Sequence, residues 1–210
     1  ITSFLATAAI ASTALAGATY GFTGITNNNA GDTAIGEAQF SVMVNDAGAG
    51  SVEFLFANSG PQASSMVQLY WDDATSVLSS LDSWSTTTPG GVDYTGLNAA
   101  NPGHLPGAPP TDFTDFNVQP KNQGGKVNNG VGPNEDVSIF FTGTYLSIIE
   151  ALDNGELVIG VHGQGFRSGG SESFVTGPKG TPPTGIPSPT AALAGMGLMG
   201  LLVSRRRRRD

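Results

Sequence analysis

Residues 38–56 read Ala38-Gln39-Phe40-Ser41-Val42-Met43-Val44, then Asn45-Asp46-Ala47-Gly48-Ala49-Gly50, then Ser51-Val52-Glu53-Phe54-Leu55-Phe56. The first run places Phe40, Val42 and Val44 on one face, and the last places Val52, Phe54 and Phe56 on one face. Successive side chains of a strand point to opposite faces, so an apolar period of two marks a half-buried strand. The link between the runs is rich in turn residues, and the whole predicts a β-hairpin. Met66 to Trp71, Val137 to Phe141, Glu156 to Gln164 and Glu172 to Val175 are further strand candidates. Short strands parted by Gly, Asn, Asp and Pro predict a mainly β fold, an antiparallel β-sandwich with Phe, Trp, Val and Ile on its inner faces.

One short helix is expected. Thr144 to Gly155 offers a Thr cap, apolar residues at 145, 148, 149 and 152, and an Asn-Gly stop, which together give two to three turns. Residues 85–132 hold Pro89, Pro102, Pro106, Pro109, Pro110 and Pro120 among many glycines. They predict a long surface loop or a set of loops, with a short strand at Phe113 to Val118. No internal repeat is visible.

The composition excludes whole classes of chemistry. There is no cysteine, so a disulfide framework, a thiolate zinc site, an iron–sulfur cluster and a cysteine nucleophile are out. The two histidines, His104 and His162, leave little for a histidine-rich metal site. The formal net charge is -8, but Arg205 to Arg209 supply five of the nine basic residues. Ahead of that run only Lys121, Lys126, Arg167 and Lys179 stand against 16 carboxylates. So acidic a body repels a phosphate backbone, and no nucleic-acid partner is expected.

Both ends are apolar. Phe4 to Ala18 is uncharged, rich in small residues, and ends in Ala14-Leu15-Ala16 and Ala16-Gly17-Ala18. That is the pattern of a secretory hydrophobic region with a small-residue cleavage site, preferred here to a buried alanine-rich helix. Residues 1–18 are therefore expected to be a signal peptide lacking its first few residues, with the mature chain starting near Gly17 or Thr19. At the other end a Pro/Gly/Thr linker (177–186) leads to Pro187-Ser188-Pro189, an apolar run from Ala191 to Val203, and Arg205-Arg206-Arg207-Arg208-Arg209. The 13-residue apolar run makes about 20 Å of helix. Counted from Ile186, the 18 residues to Val203 make about 27 Å, close to a hydrocarbon core of about 30 Å. The arginines would hold the end in the cytoplasm, and Gly195, Gly197 and Gly200 would permit close helix contact.

This tripartite tail resembles the PEP-CTERM sorting signal read by exosortases of Gram-negative and related bacteria. Its pattern is Pro-Glu-Pro, a short apolar helix and a terminal arginine cluster. Pro187 and Pro189 match the two prolines, and Ser188 stands where glutamate is usual. The resemblance implies export through the Sec translocon and transient insertion of the tail in the inner membrane. It further implies recognition by an exosortase, a cut near Pro-x-Pro, and delivery to the cell surface, outer envelope or extracellular matrix, with extracellular polysaccharide as a partner. The body also resembles a recurrent kind of PEP-CTERM protein through Ser51 to Asn58, Gln68 to Asp73, and Gly163 to Phe166 with Gly170 to Val175. That likeness implies an exported β-rich domain and transfers no active site. The organisation expected is thus a signal peptide (1–18), a β-sandwich (19–176), a linker (177–186) and a sorting signal (187–210).

Candidate chemistry inside the body is sparse. Tyr70-Trp71-Asp72-Asp73 sets two carboxylates beside two large aromatics, which suits a sugar platform or calcium, or else a strand end with its aspartates in a turn. No regular calcium-loop pattern is present, so no cofactor is expected beyond that calcium alternative. Asp112 and Asp115 are a candidate carboxylate pair for glycan hydrolysis, or plain loop charges. Gly169-Gly170-Ser171-Glu172-Ser173 comes near a nucleophile elbow, with His162 close by in sequence, but a strand follows it where the elbow needs a helix. The favoured reading is a non-enzymatic sorted surface protein, with a carbohydrate- or calcium-binding module and a secreted glycan hydrolase as its rivals.

Overall fold

The computed structural model describes residues 17–86, 91–95, 100–121, 126–177 and 186–187. In chain order they form β1 (Ala18–Gly21), β2 (Thr23–Gly24), α1 (Ala30–Gln39), β3 (Phe40–Gly48), β4 (Ser51–Asn58), β5 (Ser65–Asp73) and β6 (Ser80–Ser85). There follow β7 (Tyr94–Thr95), β8 (Phe116–Pro120), α2 (Lys126–Asn129), β9 (Glu135–Thr142), α3 (Tyr145–Asn154), β10 (Leu157–Gln164), β11 (Glu172–Val175) and β12 (Ile186–Pro187). The strands make two six-stranded antiparallel sheets, ordered β12-β1-β3-β4-β9-β6 and β2-β11-β10-β5-β8-β7. The protein is the mainly β sandwich that its alternating runs predict.

The hairpin that opened the sequence reading is the pair β3–β4. Val42 lies opposite Phe56 and Val44 opposite Phe54, and β9 continues the rows with Val137 and Ile139. All six side chains are buried, so one face of this sheet is a continuous apolar wall. The facing wall comes from β5 and β10, whose Leu69, Trp71, Ile159 and Val161 are fully buried. Trp71 is the main bridge between the walls. Its ring meets Phe54, Phe56 and Phe141 edge to face at centroid separations of 6.0, 5.7 and 5.0 Å. Such pairs add about 0.5–1.5 kcal/mol each beyond the area they bury. The indole N–H has no hydrogen-bond partner, so packing alone holds the ring.

The helices close the open ends of the sandwich. The expected α3 carries buried Tyr145, Ile148, Ala151 and Leu152 and stops at Gly155, which is left-handed at φ 71°. Thr144 takes the cap position without a side-chain cap bond. A second ten-residue helix, α1, was not expected. Its sequence has two glycines and only Ile35 as a large apolar residue, so it shows no apolar stripe. Its cap is local: Asn29 Oδ1 accepts from Gly31 and Asp32 N–H at 2.9 and 3.3 Å. The segment from Ser85 to Gly132 also departs from expectation. It includes β7, β8 and α2, and residues 100–115 are fastened to the outer face of the second sheet. Leu105 and Phe113 pack there on Tyr70, Val158 and Val175. Gln68, Asn117 and Gln119 bond the backbone of residues 100–103.

The chain enters and leaves the sandwich at the same end. Ala18 pairs with Val44 at the middle of β3, and β1 runs from there away from the β3–β4 turn, while β11 runs back toward the start of β10, where Thr176 N–H bonds Ile159 O at 3.0 Å. The signal-peptide stretch lies outside the described residues up to residue 16, and β1 begins at its last residue, Ala18. Of the linker only Gly177 and Ile186 are described, and of the sorting signal only Pro187; Ile186 and Pro187 pair with Thr19 and Ala18 of β1.

Gly36 gives a test of the packing with opposed signs. An ideal Cβ there would sit 2.1 Å from Phe174 Cζ, and Phe174 is fully buried. Helix propensity alone makes Gly36→Ala stabilising by about 1 kcal/mol. The contact with a ring that cannot retreat makes it destabilising by about 1–3 kcal/mol, the cost of overpacking. Urea unfolding of the variant is expected to show a lower midpoint.

Candidate functional site

The strand end at Tyr70 to Asp73 is committed to structure. Tyr70 faces the outer side of its sheet, fully buried under residues 100–115, and its hydroxyl donates to Pro102 O at 3.0 Å. Trp71 faces the inter-sheet core. Neither ring offers an open face for a sugar to stack on. Asp73 is buried and terminates the strand: Oδ1 accepts Val77 N–H at 3.1 Å and Oδ2 accepts Leu78 N–H at 2.8 Å. Asp72 is half-buried one residue earlier.

One pairing arises that the sequence did not join. Asp115 Oδ2 accepts Asp73 N–H at 2.7 Å, which brings Asp115 to the β5 turn. With Ser76, Leu78 and Phe116 the two aspartates line a shallow cleft of about 220 Å³. Three of its four carboxylate oxygens accept backbone N–H groups. Among the described residues, no three His, Asp or Glu side chains converge as a group that could hold a metal ion. Asp112 is the expected companion of Asp115; its Oδ1 takes a 3.4 Å bond from Thr111 Oγ1, and it is not among the residues lining that cleft.

The serine-rich stretch meets His162 through its last serine. His162 and Ser173 are cross-strand partners on β10 and β11, with Nδ1 3.2 Å from Ser173 Oγ. Nε2 lies 3.1 Å from Gln164 Nε2. Which atom donates in each of these two contacts follows from the tautomer of the imidazole. His162 is 7% exposed and Ser173 1%, which keeps a substrate from either atom. Ser171 takes no part in the pair; its carbonyl accepts from Asn28 Nδ2 at 2.8 Å.

Glu172, between the two serines, has a role that the motif reading missed. It is 1% exposed and accepts from Thr26 Oγ1, Asn28 N–H and Asn29 N–H at 2.7, 3.2 and 2.6 Å. This carboxylate thus fixes the loop that leads into α1. Ser168 bonds Asp32 in the same region. At the other end of α1, Gln39 bonds Asn58, Gln62 and Ser64 and ties the helix to the β4–β5 connection. These groups come together from sequence separations of 19 to 146 residues, and no local spacing announces them.

A scan against family models finds no match, and no curated protein or solved structure matches the chain either.

Two expectations follow from these side chains. Asp73→Ala leaves the Val77 and Leu78 N–H groups without their acceptor and is expected to cost about 1–3 kcal/mol in urea unfolding, with Asp73→Asn costing less. Burial is the first cause that pushes the hydroxyls of Tyr20, Tyr70, Tyr94 and Tyr145 above the ordinary tyrosine value, Asp153 adding to the rise at Tyr20. A folded-state value raised above the unfolded one gives stability that is full below about pH 10 and lost as pH rises beyond it. Phenolate absorbance is therefore expected to rise together with loss of the β-sheet circular dichroism, and not ahead of it.

Proposed function

We propose that the chain is an exported bacterial surface or matrix protein, sorted by an exosortase through residues 187–210. Its domain is non-enzymatic and associates with extracellular polysaccharide. The observation that carries this reading is the order of the tail. Pro187-Ser188-Pro189, a 13-residue apolar run and five consecutive arginines follow one another, and no charged residue lies between Lys179 and Arg205. Each part has a separate physical task. The apolar run partitions into hydrocarbon, the arginines cannot follow it across, and the prolines keep the cut region out of the helix.

The signal peptide at residues 1–18 and the linker at 177–186 belong to the same proposal, as does a passage through the Sec translocon and the inner membrane. The body supports a non-catalytic role. Its aspartates at the β5 turn cap backbone groups, and the contact between His162 and Ser173 is enclosed. Among the described residues no helix is long and apolar enough to cross a membrane, and the apolar run lies outside them.

Two tail variants in the native host test the reading. With Arg205 to Arg209 all replaced by Gln, the chain is expected to lose its membrane-held intermediate. With Pro187→Ala and Pro189→Ala together, the uncut form is expected to accumulate in the inner membrane. Normal surface delivery of both variants would contradict the proposal.

A further inference from the structure

Three of the four sheet edges are short. β12, β2 and β7 are two residues each, too little to template another strand. The fourth edge, β6, has six residues, Ser80-Leu81-Asp82-Ser83-Trp84-Ser85, with one charge and no proline or lysine to guard it. Among the described residues no strand pairs with its side away from β9, so its outward N–H and C=O groups have no ladder partner.

The two faces of β6 follow from its register with β9. Leu81 and Trp84 lie opposite Phe141 and Ile139, which face the core. Ser80, Ser83 and Ser85 lie opposite Thr142, Phe140 and Ser138, which face the other way. The register slips between Leu81 and Ser83, and Asp82 in that bulge joins the outer face. Its carboxylate there accepts from the Ser80 and Thr142 hydroxyls at 2.9 and 2.8 Å. Along the strand the side chains therefore point out, in, out, out, in, out, an order that is the same in both directions. At the open edge Leu81 is only partly buried and Trp84 is 41% exposed.

We infer that β6 pairs with β6 of a second copy, antiparallel and about a two-fold axis between Asp82 and Ser83. This register alone sets all six residues opposite a residue of the same face. Each Trp84 then lies opposite Leu81 of the other copy, an aromatic–aliphatic cross-strand pair that covers the exposed indole. Asp82 lies opposite Ser83, so no carboxylate directly faces its own copy. A shift of one residue either way sets Leu81 and Trp84 against serine or aspartate of the opposite face. The pairing uses up the one long edge among the described strands, so it closes at a dimer and does not grow into a fibre. Six paired residues make a smaller interface than the about 1,600 Å² of a standard stable complex, so the dimer is weak and forms where copies are concentrated. The inference is independent of the sorting reading.

The chain has no cysteine, so single introduced cysteines report the register. Across the two-fold axis the two copies of residue 83 stand about 6 Å apart, within the Cα range that a disulfide spans, and the two copies of residue 80 about 17 Å apart. The full chain carrying Ser83→Cys or Ser80→Cys, in nonionic detergent, is oxidised and followed on a non-reducing gel. Linked dimer is expected to form severalfold faster at position 83 than at 80. Adding Trp84→Lys to Ser83→Cys is expected to slow it severalfold while the β-sheet circular dichroism stays the same. Equal rates at 83 and 80, or no linked dimer at 83, overturn the two-fold pairing; that comparison does not depend on Trp84→Lys. Undiminished linking at 83 in a folded Trp84→Lys chain overturns the role of the Trp84–Leu81 contact.

Discussion

The packing of Trp71 against Phe54, Phe56 and Phe141 is the contact on which the rest of the domain depends. It joins β5 in one sheet to β4 and β9 in the other, and the apolar rows between the two sheets are continuous with it. A sheet with one apolar face is unstable alone in water, so the two sheets exist as a pair or not at all. Truncating such an aromatic costs about 3–5 kcal/mol, comparable with much of a domain's net stability of about 5–15 kcal/mol. The same contact removes Trp71 from any work at the surface.

Around that core the polar residues are used up in holding the fold. Asp73 ends β5, Glu172 fixes the loop before α1, and Gln39 with Asn58 joins α1 to the β4–β5 connection. A domain rich in glycine and proline needs such fixtures, because its connections gain little from regular hydrogen-bond ladders. The outer face of the second sheet shows the same economy. Gln68, Asn117 and Gln119 bind backbone where an open groove would otherwise run.

Much of the sandwich was legible because a period of two is a strong local signal in β3, β4 and β9. The limits were equally physical. Helix α1 has no apolar stripe, since Gly31 and Gly36 stand where a helix normally places side chains, and Gly36 is there because Phe174 fills the space above it. The segment from Ser85 to Gly132 looked loose because proline and glycine describe only its backbone. Leu105, Phe113 and Asn117 anchor it through contacts distant in sequence. The pairing of Asp73 with Asp115 and of His162 with Ser173 likewise depended on register, which no local pattern encodes. The proposal for the tail rests on a different kind of signal. Its meaning lies in the order of short compositional blocks and needs no tertiary contact.

The central claim is that the two apolar ends are addresses removed in transit and that the sandwich between them is what arrives. Intact mass of the protein recovered from its native host, fraction by fraction, tests this most directly. The account predicts an envelope or matrix form that lacks both the N-terminal leader and the residues beyond about Pro187. A membrane form that still carries Arg205 to Arg209, with no shorter species outside, would mean a plain tail anchor and would contradict it.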